Sequence, residues 1–215
     1  MRIIGTLVPD LEALLMDSAT HTVTADAGTV LDRYARSLNV MEQAIRSAPA
    51  DRWDDQSPCE DWTARQVAGH AMTFIRNVVQ LGGNRPAPDF HAAVDFAAVA
   101  GDDPNVTWTA TRGLVEGELL TRPDRLAAVR MTPLGVEMPM LELLTYQGMD
   151  PVVHGWDIAT ATGGHVAIPD DLADHYLRRF TPVADGIRAN GLLGPELSGG
   201  TTAVDRLLDF CGRRR

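Results

Sequence analysis

Between Gly28 and Ala48 the apolar residues Val30, Tyr34, Leu38, Met41 and Ile45 recur at steps of three and four. That period belongs to one face of an α-helix, and such a stripe is stable in water only when other elements cover it. Pro49 ends the pattern. The same period returns after SPCEDW, in Val67, Ala71, Phe74, Ile75 and Val78. Thr63 is placed to cap this second helix, and Gln66 three residues on completes a capping box. Trp62 before the cap and Val67 after it form a hydrophobic staple. Gly82-Gly83 is the stop signal.

The rest of the chain repeats this helical theme. A third helix is expected over Asn105–Leu120, and a fourth over Met140–Thr162, ending at Gly163-Gly164. A fifth covers Pro169–Ala189, with Pro182 as a kink, and TTAVDRLLDFCG makes a short closing helix. Residues 84–104 are rich in Pro, Ala and Asp and read as a loop with a short helix around His91–Val99. In AAVRMTPLGVEMPM, Val129 and Met131 alternate before Pro133-Leu134-Gly135, and Val136 and Met138 after it, which predicts a small β-hairpin. Residues 1–25 have Leu7, Leu11, Leu14 and Leu15 at helical spacing without supporting flanks, and are treated as an N-terminal extension to a domain of residues 26–215. The expected fold is all-α: a four-helix bundle with a small β-hairpin and a short C-terminal helix.

Composition narrows the function. The 215 residues suit one domain, and 45% of them are hydrophobic, enough for a full core. The net charge is −10, and the only basic run is Arg213-Arg214-Arg215, so no nucleic-acid partner is expected. All 19 basic residues are arginine. Two cysteines, Cys59 and Cys211, with no CxxC, exclude a disulfide scaffold and a zinc ribbon. Cys59 lies just before a helix N-terminus, which lowers a thiol's pKa, but Glu60 and Asp61 oppose that. MRIIGTLVPDLEALLMD lacks the apolar core of a signal peptide. No apolar run approaches the roughly 20 residues that span a bilayer. A cytoplasmic protein without a membrane partner is expected, as a monomer or a homodimer.

Four of the six histidines, His21, His91, His165 and His175, lie in expected loops or polar surroundings and read as solvated. The other two lie on apolar stripes. His70 is three residues after Val67 and four before Phe74; His154 stands in DPVVHGWDIATATG, residues 150–163, among Val152, Val153 and Trp156. Asp150 is four residues before His154, so the two share a helix face and converge on one point. His70 from a facing helix supplies a third donor. Two imidazoles and one carboxylate suit a divalent metal such as zinc, nickel or iron, and three protein ligands leave room for a reactant. Asp150 has a second reading: Asp-Pro is a good N-cap followed by a first helical residue, so the helix restarts at Pro151 and Asp150 merely caps it. Asp157, three residues after His154, either orients a metal-bound histidine or acts as a base, or is a surface carboxylate. Trp156 is either a core residue or a wall of the site against a bound cofactor.

At these residues the chain resembles a known group. SPCEDWTARQVAGHAM is similar to the TPC-x-x-W-T-x-R-x-L-x-x-H segment of the DinB/YfiT-like metalloenzymes, nearest to their actinobacterial branch of mycothiol-dependent maleylpyruvate isomerase N-terminal-domain proteins. DPVVHGWDIATATG resembles that branch's D-x-x-x-H-G-W-D-L-A-x-A-T-G. The hairpin and the closing GLLGPELSGGTTAVDRLLDFCGR follow in the same order, so the resemblance covers roughly residues 28–213. It implies a DinB-like bundle with a divalent metal, zinc first with nickel or iron as alternatives, held by His70, Asp150 and His154. It also implies mycothiol as the thiol cofactor, bound through sulfur, and a small electrophilic substrate that is isomerised or receives the thiol. Aspartate stands at 150 where many members have Glu or His. The full isomerase carries a second, C-terminal domain, whereas this chain ends in one short helix and three arginines. A non-catalytic metal-binding bundle, acting as a sensor or stress-response module, is the competing expectation.

Overall fold

The computed structural model describes residues 26–85, 93–131, 137–189 and 191–214. The expected N-terminal extension, His21, His91 and the hairpin turn with Val136 lie outside them. Four helices form the bundle: α1 (Ala27–Ser47), α2 (Ala64–Gly82), α4 (Pro104–Val115) and α6 (Met149–Thr162). α1 packs along α6, α6 on α2, α2 on α4, and α4 returns to α1. The stripe read from the sequence is the buried one: Leu38, Met41 and Ile45 of α1 are fully covered, as are Val67, Ala71 and Met72 of α2. Trp108 of α4 and Val152 and Ile158 of α6 complete this core.

α2 begins as its sequence requires. The Thr63 hydroxyl accepts from the Gln66 backbone, and the Gln66 side chain accepts from the Thr63 backbone. The short helix after the Pro-rich stretch is α3 (Phe96–Ala100), capped by Asp95. α4 is capped by Asp103 and starts with Pro104 at its first position. It continues as a π-helical turn over Glu116–Leu120, so the expected end at Leu120 stands, with looser winding in the last turn. The hairpin pairs β1 (Val129–Met131) with β2 (Glu137–Pro139), antiparallel, Arg130 opposite Met138.

The expected fourth helix is two helices, α5 (Met140–Gln147) and α6, joined at Gly148. Pro151 accounts for the break. A proline has no N–H for the carbonyl four residues back, and its ring crowds that carbonyl. Four residues before Pro151 is Gln147, where α5 ends. Pro182 acts similarly: the helix runs as α7 (Asp170–Phe180), passes through a 3-10 turn at Thr181–Val183, and resumes as α8 (Ala184–Ala189). The closing α9 (Ala203–Phe210) has its own capping box, Thr202 with Asp205, and packs on α7. No helix among the described residues is long and apolar enough to cross a membrane.

Candidate metal centre

Each of the two inward histidines has a glycine beside it, and the site depends on both. A side chain on Gly69 would meet the Phe96 carbonyl oxygen at 1.8 Å, so α3 lies directly on the α2 backbone. That contact sets the Phe96 ring edge-on to the neighbouring imidazole, His70, with centroids 5.1 Å apart. A side chain on Gly155 would press on the Met41 Cα and the Val40 carbonyl, both at 3.3 Å. α1 and α6 therefore approach closely beside His154. With both helix pairs drawn in, the His70 and His154 rings stand 5.0 Å apart, nearly perpendicular.

Asp150, His154 and Asp157 line one stripe of α6, as their spacing requires. Asp150 is not the helix cap. α6 starts at Met149 after Gly148, Asp150 lies in its first turn, and its carboxylate faces the two histidines. Oδ1 is 3.3 Å from His154 Nε2 and 3.6 Å from His70 Nε2. Asp157 is not a surface carboxylate: its side chain is 0% exposed. His154 Nδ1 is 2.9 Å from Asp157 Oδ2, the distance of an Nδ1–H donating to the carboxylate. Arg213 grips the same carboxylate with a fork, Nε to Oδ1 at 3.1 Å and Nη2 to Oδ2 at 2.9 Å. A guanidinium and an imidazole thus share one buried anion, which makes its burial tolerable.

The electrostatics follow from this arrangement. Burial alone would lower the His154 pKa, but Asp150 and Asp157 outweigh it and hold the imidazole at about 9. Burial alone would raise the Asp150 carboxyl, but the His154 and His70 imidazoles keep it well below the usual carboxylate range. Asp157 is likewise held down against burial, by His154 and Arg213. His70 goes the other way: burial pushes it below its ordinary value despite Asp150.

The donor set fits a divalent ion. One donor atom from each of His70, Asp150 and His154 lies within 4.8 Å of the others. Ligands of a tetrahedral ion stand about 3.4 Å apart, and the two measured edges at Asp150 are close to that. The second nitrogen of His70, Nδ1, and the second oxygen of Asp150, Oδ2, are buried without a hydrogen-bond partner. His154 is already oriented for ligation, its Nδ1 engaged by Asp157 and its Nε2 turned inward, the usual arrangement behind a metal-bound histidine. The three side chains keep some access to solvent, 14% for His70, 10% for His154 and 25% for Asp150.

The structure therefore brings together His70, Asp150, His154 and Asp157. It places Trp156 differently. Two residues on from His154 is about 200° around a helix, so this half-buried indole stands on another face of α6. The aromatic wall comes instead from Trp62, 4.6 Å from the His70 ring, with Phe74 at 4.5 Å and Phe96. Arg213 was the residue missed. In sequence it is one of three terminal arginines, and nothing local separates it from its neighbours. Cys59 lies close by, its sulfur grouped with His154 and Asp157, and burial pushes its pKa up to about 11, so it is a protonated thiol. His165 is exposed as expected; His175 is not. It is half-buried, its Nε2 has no hydrogen-bond partner, and burial with Arg33 and Arg178 lowers it to about 4.

Residues 34–159 match the family model described as the mycothiol maleylpyruvate isomerase N-terminal domain. The chain belongs to this family. The matched segment holds His70, Asp150, His154 and Asp157 and leaves out Arg213. Similar curated proteins include Rv0036c of Mycobacterium tuberculosis strain H37Rv, 28% identical over 153 residues, which are 65% of this chain and 58% of that protein. Rv0738 of the same strain is 25% identical over 166 residues, 77% of this chain and 80% of that protein. Both are described as uncharacterized. The chain spans 58% of the length of the first. No solved structure matches it.

Proposed function

We propose that this protein is a metal- and mycothiol-dependent cytoplasmic enzyme that transfers the thiol to a small electrophilic substrate or isomerises it by thiol addition. The observation that carries this reading is the convergence of one donor atom from each of His70, Asp150 and His154 within 4.8 Å of one another, with Asp157 behind His154. His70, Asp150 and His154 would hold the ion, zinc in the first instance and nickel or iron as alternatives. A bound divalent ion lowers a thiol's pKa and keeps it as the nucleophilic thiolate.

The chain's own residues do the rest. Asp157 keeps the His154 ring in one tautomer and one orientation. Arg213 keeps Asp157 ionised in a buried position. Trp62, Phe74 and Phe96 wall the His70 side with apolar surface and exclude water from it. Cys59, protonated and partly covered, does not compete as a nucleophile.

The test is elemental analysis of untagged protein, wild type beside His70→Ala and His154→Ala. About one divalent ion per chain in wild type is expected, with loss of the ion in both variants while the helical circular dichroism persists. Absence of metal after incubation with zinc and nickel would end the metal reading. Metal without turnover of mycothiol and an electrophile would leave the non-catalytic metal-binding bundle in its place.

A further inference from the structure

Three elements meet at the joint between α5 and α6. The Tyr176 hydroxyl of α7 lies 2.7 Å from the Ser37 hydroxyl of α1, and both residues are fully covered. Ser37 gives its one proton to the Arg33 carbonyl, 3.1 Å away, so Tyr176 is the donor to Ser37. Both hydroxyls lie against Gly148. A side chain there would meet the Tyr176 oxygen at 1.9 Å, the ring carbon that bears it at 2.9 Å and the Ser37 oxygen at 3.3 Å. Pro151 has no N–H to give the Gln147 carbonyl, so the joint lacks one helical hydrogen bond. α6 begins directly after Gly148, with Asp150 in its first turn. Asp150 and His154 share α6, so the 3.3 Å between them is internal to one helix. The 3.6 Å from Asp150 to His70 crosses to α2 and depends on how α6 leaves the joint.

We propose that Tyr176 is a positioning residue of the metal centre: its hydroxyl, locked by Ser37, rests on the bare backbone of Gly148 and fixes the start of α6, and with it the reach of Asp150 to His70. This rests on the metal reading above. Residues behind the ligands act on affinity and ligand geometry without touching the ion. A phenol suits the task, because its rigid ring carries the hydroxyl across from α7 and its hydrogen bond leaves it a single position. Glycine at 148 suits it too, since any larger residue would push the hydroxyl off its seat.

The experiment titrates cobalt(II) into wild type, Tyr176→Phe, Gly148→Ala and the double variant Tyr176→Phe/Gly148→Ala. It records the visible band and the metal-free melting temperature of each. In both single variants the cobalt dissociation constant is expected to rise about 10-fold or more, with a shifted band. The double variant should bind cobalt more tightly than Gly148→Ala alone, because the oxygen that the new methyl meets is gone, and such coupling marks a direct contact. Ser47→Ala is the control. It cuts the link from α1 to the backbone of His165, beyond the far end of α6. Its melting temperature should fall while its cobalt affinity and band stay at wild type. Wild-type affinity and band in Tyr176→Phe overturn the role. So does an equal loss of affinity in Ser47→Ala, since affinity would then only follow stability. No recovery in the double variant overturns the seat on Gly148. Should Gly148→Ala not fold, Tyr176→Phe with its control decides. Wild-type protein that binds no cobalt overturns the metal reading itself, and this inference with it.

Discussion

The two histidines of the centre stand 5.0 Å apart, yet their surroundings are opposite. His154 is tied on both sides, with Asp157 on one nitrogen and Asp150 near the other, and Asp157 is itself gripped by Arg213. His70 sits against aromatic rings, has only the longer contact with Asp150, and leaves a nitrogen unpaired. Burial acts on both imidazoles, but carboxylates reverse it at His154 and not at His70. The lesson is a division of labour: the α6 half of the site is an ionic scaffold that holds its shape, and the α2 half is an imidazole packed among aromatic rings with one nitrogen unbraced.

Cutting the scaffold should give the largest effect. Asp157→Ala leaves Arg213 buried without its anion and His154 without its brace, and should cost about 3–5 kcal/mol in urea unfolding. A loss under about 1 kcal/mol would mean that the ionic half is ornamental. Next comes the approach of α3 to α2. Gly69→Ala puts a methyl on the Phe96 carbonyl, where the nearest atom is backbone and has little room to give. A cost of about 1–3 kcal/mol is expected from such overpacking, with weakened metal uptake, because His70 and Phe96 move apart.

The comparison is sharpened by the two histidine variants in metal-free protein. His154→Ala removes a partner from two carboxylates and should destabilise by about 1–3 kcal/mol. His70→Ala should cost less, because its hydrogen bonding is incomplete already. Equal losses in chemical denaturation would break the distinction between the two halves. Metal binding should be lost in both.

The smallest effect concerns His175, a half-buried imidazole whose electrostatic neighbours are Arg33 and Arg178 rather than a carboxylate. Its folded pKa of about 4 lies below the ordinary 6.5. The unfolded chain therefore takes up a proton between these values that the folded chain refuses. Stability from this group is complete above about pH 6.5 and declines as the pH falls toward 4. His175→Gln should lose less stability than wild type between pH 7 and pH 5, in melting experiments on metal-free protein. Identical slopes would place His175 in solvent in both states.

Much of the architecture is written in local pattern. The stripe from Val30 to Ile45, the Thr63–Gln66 box and the Asp150–His154–Asp157 spacing each follow from helix geometry, which repeats every 3.6 residues whatever the helix packs against. Pro151 also carried its message locally, as a possible restart of the helix at that residue; the observed break lies earlier, at Gln147 and Gly148. Metal-ligand chemistry could be read from residue types, and the resemblance to the mycothiol-related family from two short motifs.

Tertiary structure alone settled the matters that depend on neighbours distant in sequence. Asp-Pro reads as a cap or as part of a site until α6 is seen to start at Met149 with Asp150 facing His70. Asp157 reads equally as a brace for His154 and as a surface carboxylate until Arg213, 56 residues on, is found against it. Trp156 is offered by the sequence as a wall and Trp62 only as a staple, and it is the packing around α2 that sets Trp62 against His70. Periodicity specifies which face of a helix is buried. Which side chain from another helix meets that face depends on long-range packing, and that is where the charge of an imidazole and the role of a carboxylate are decided.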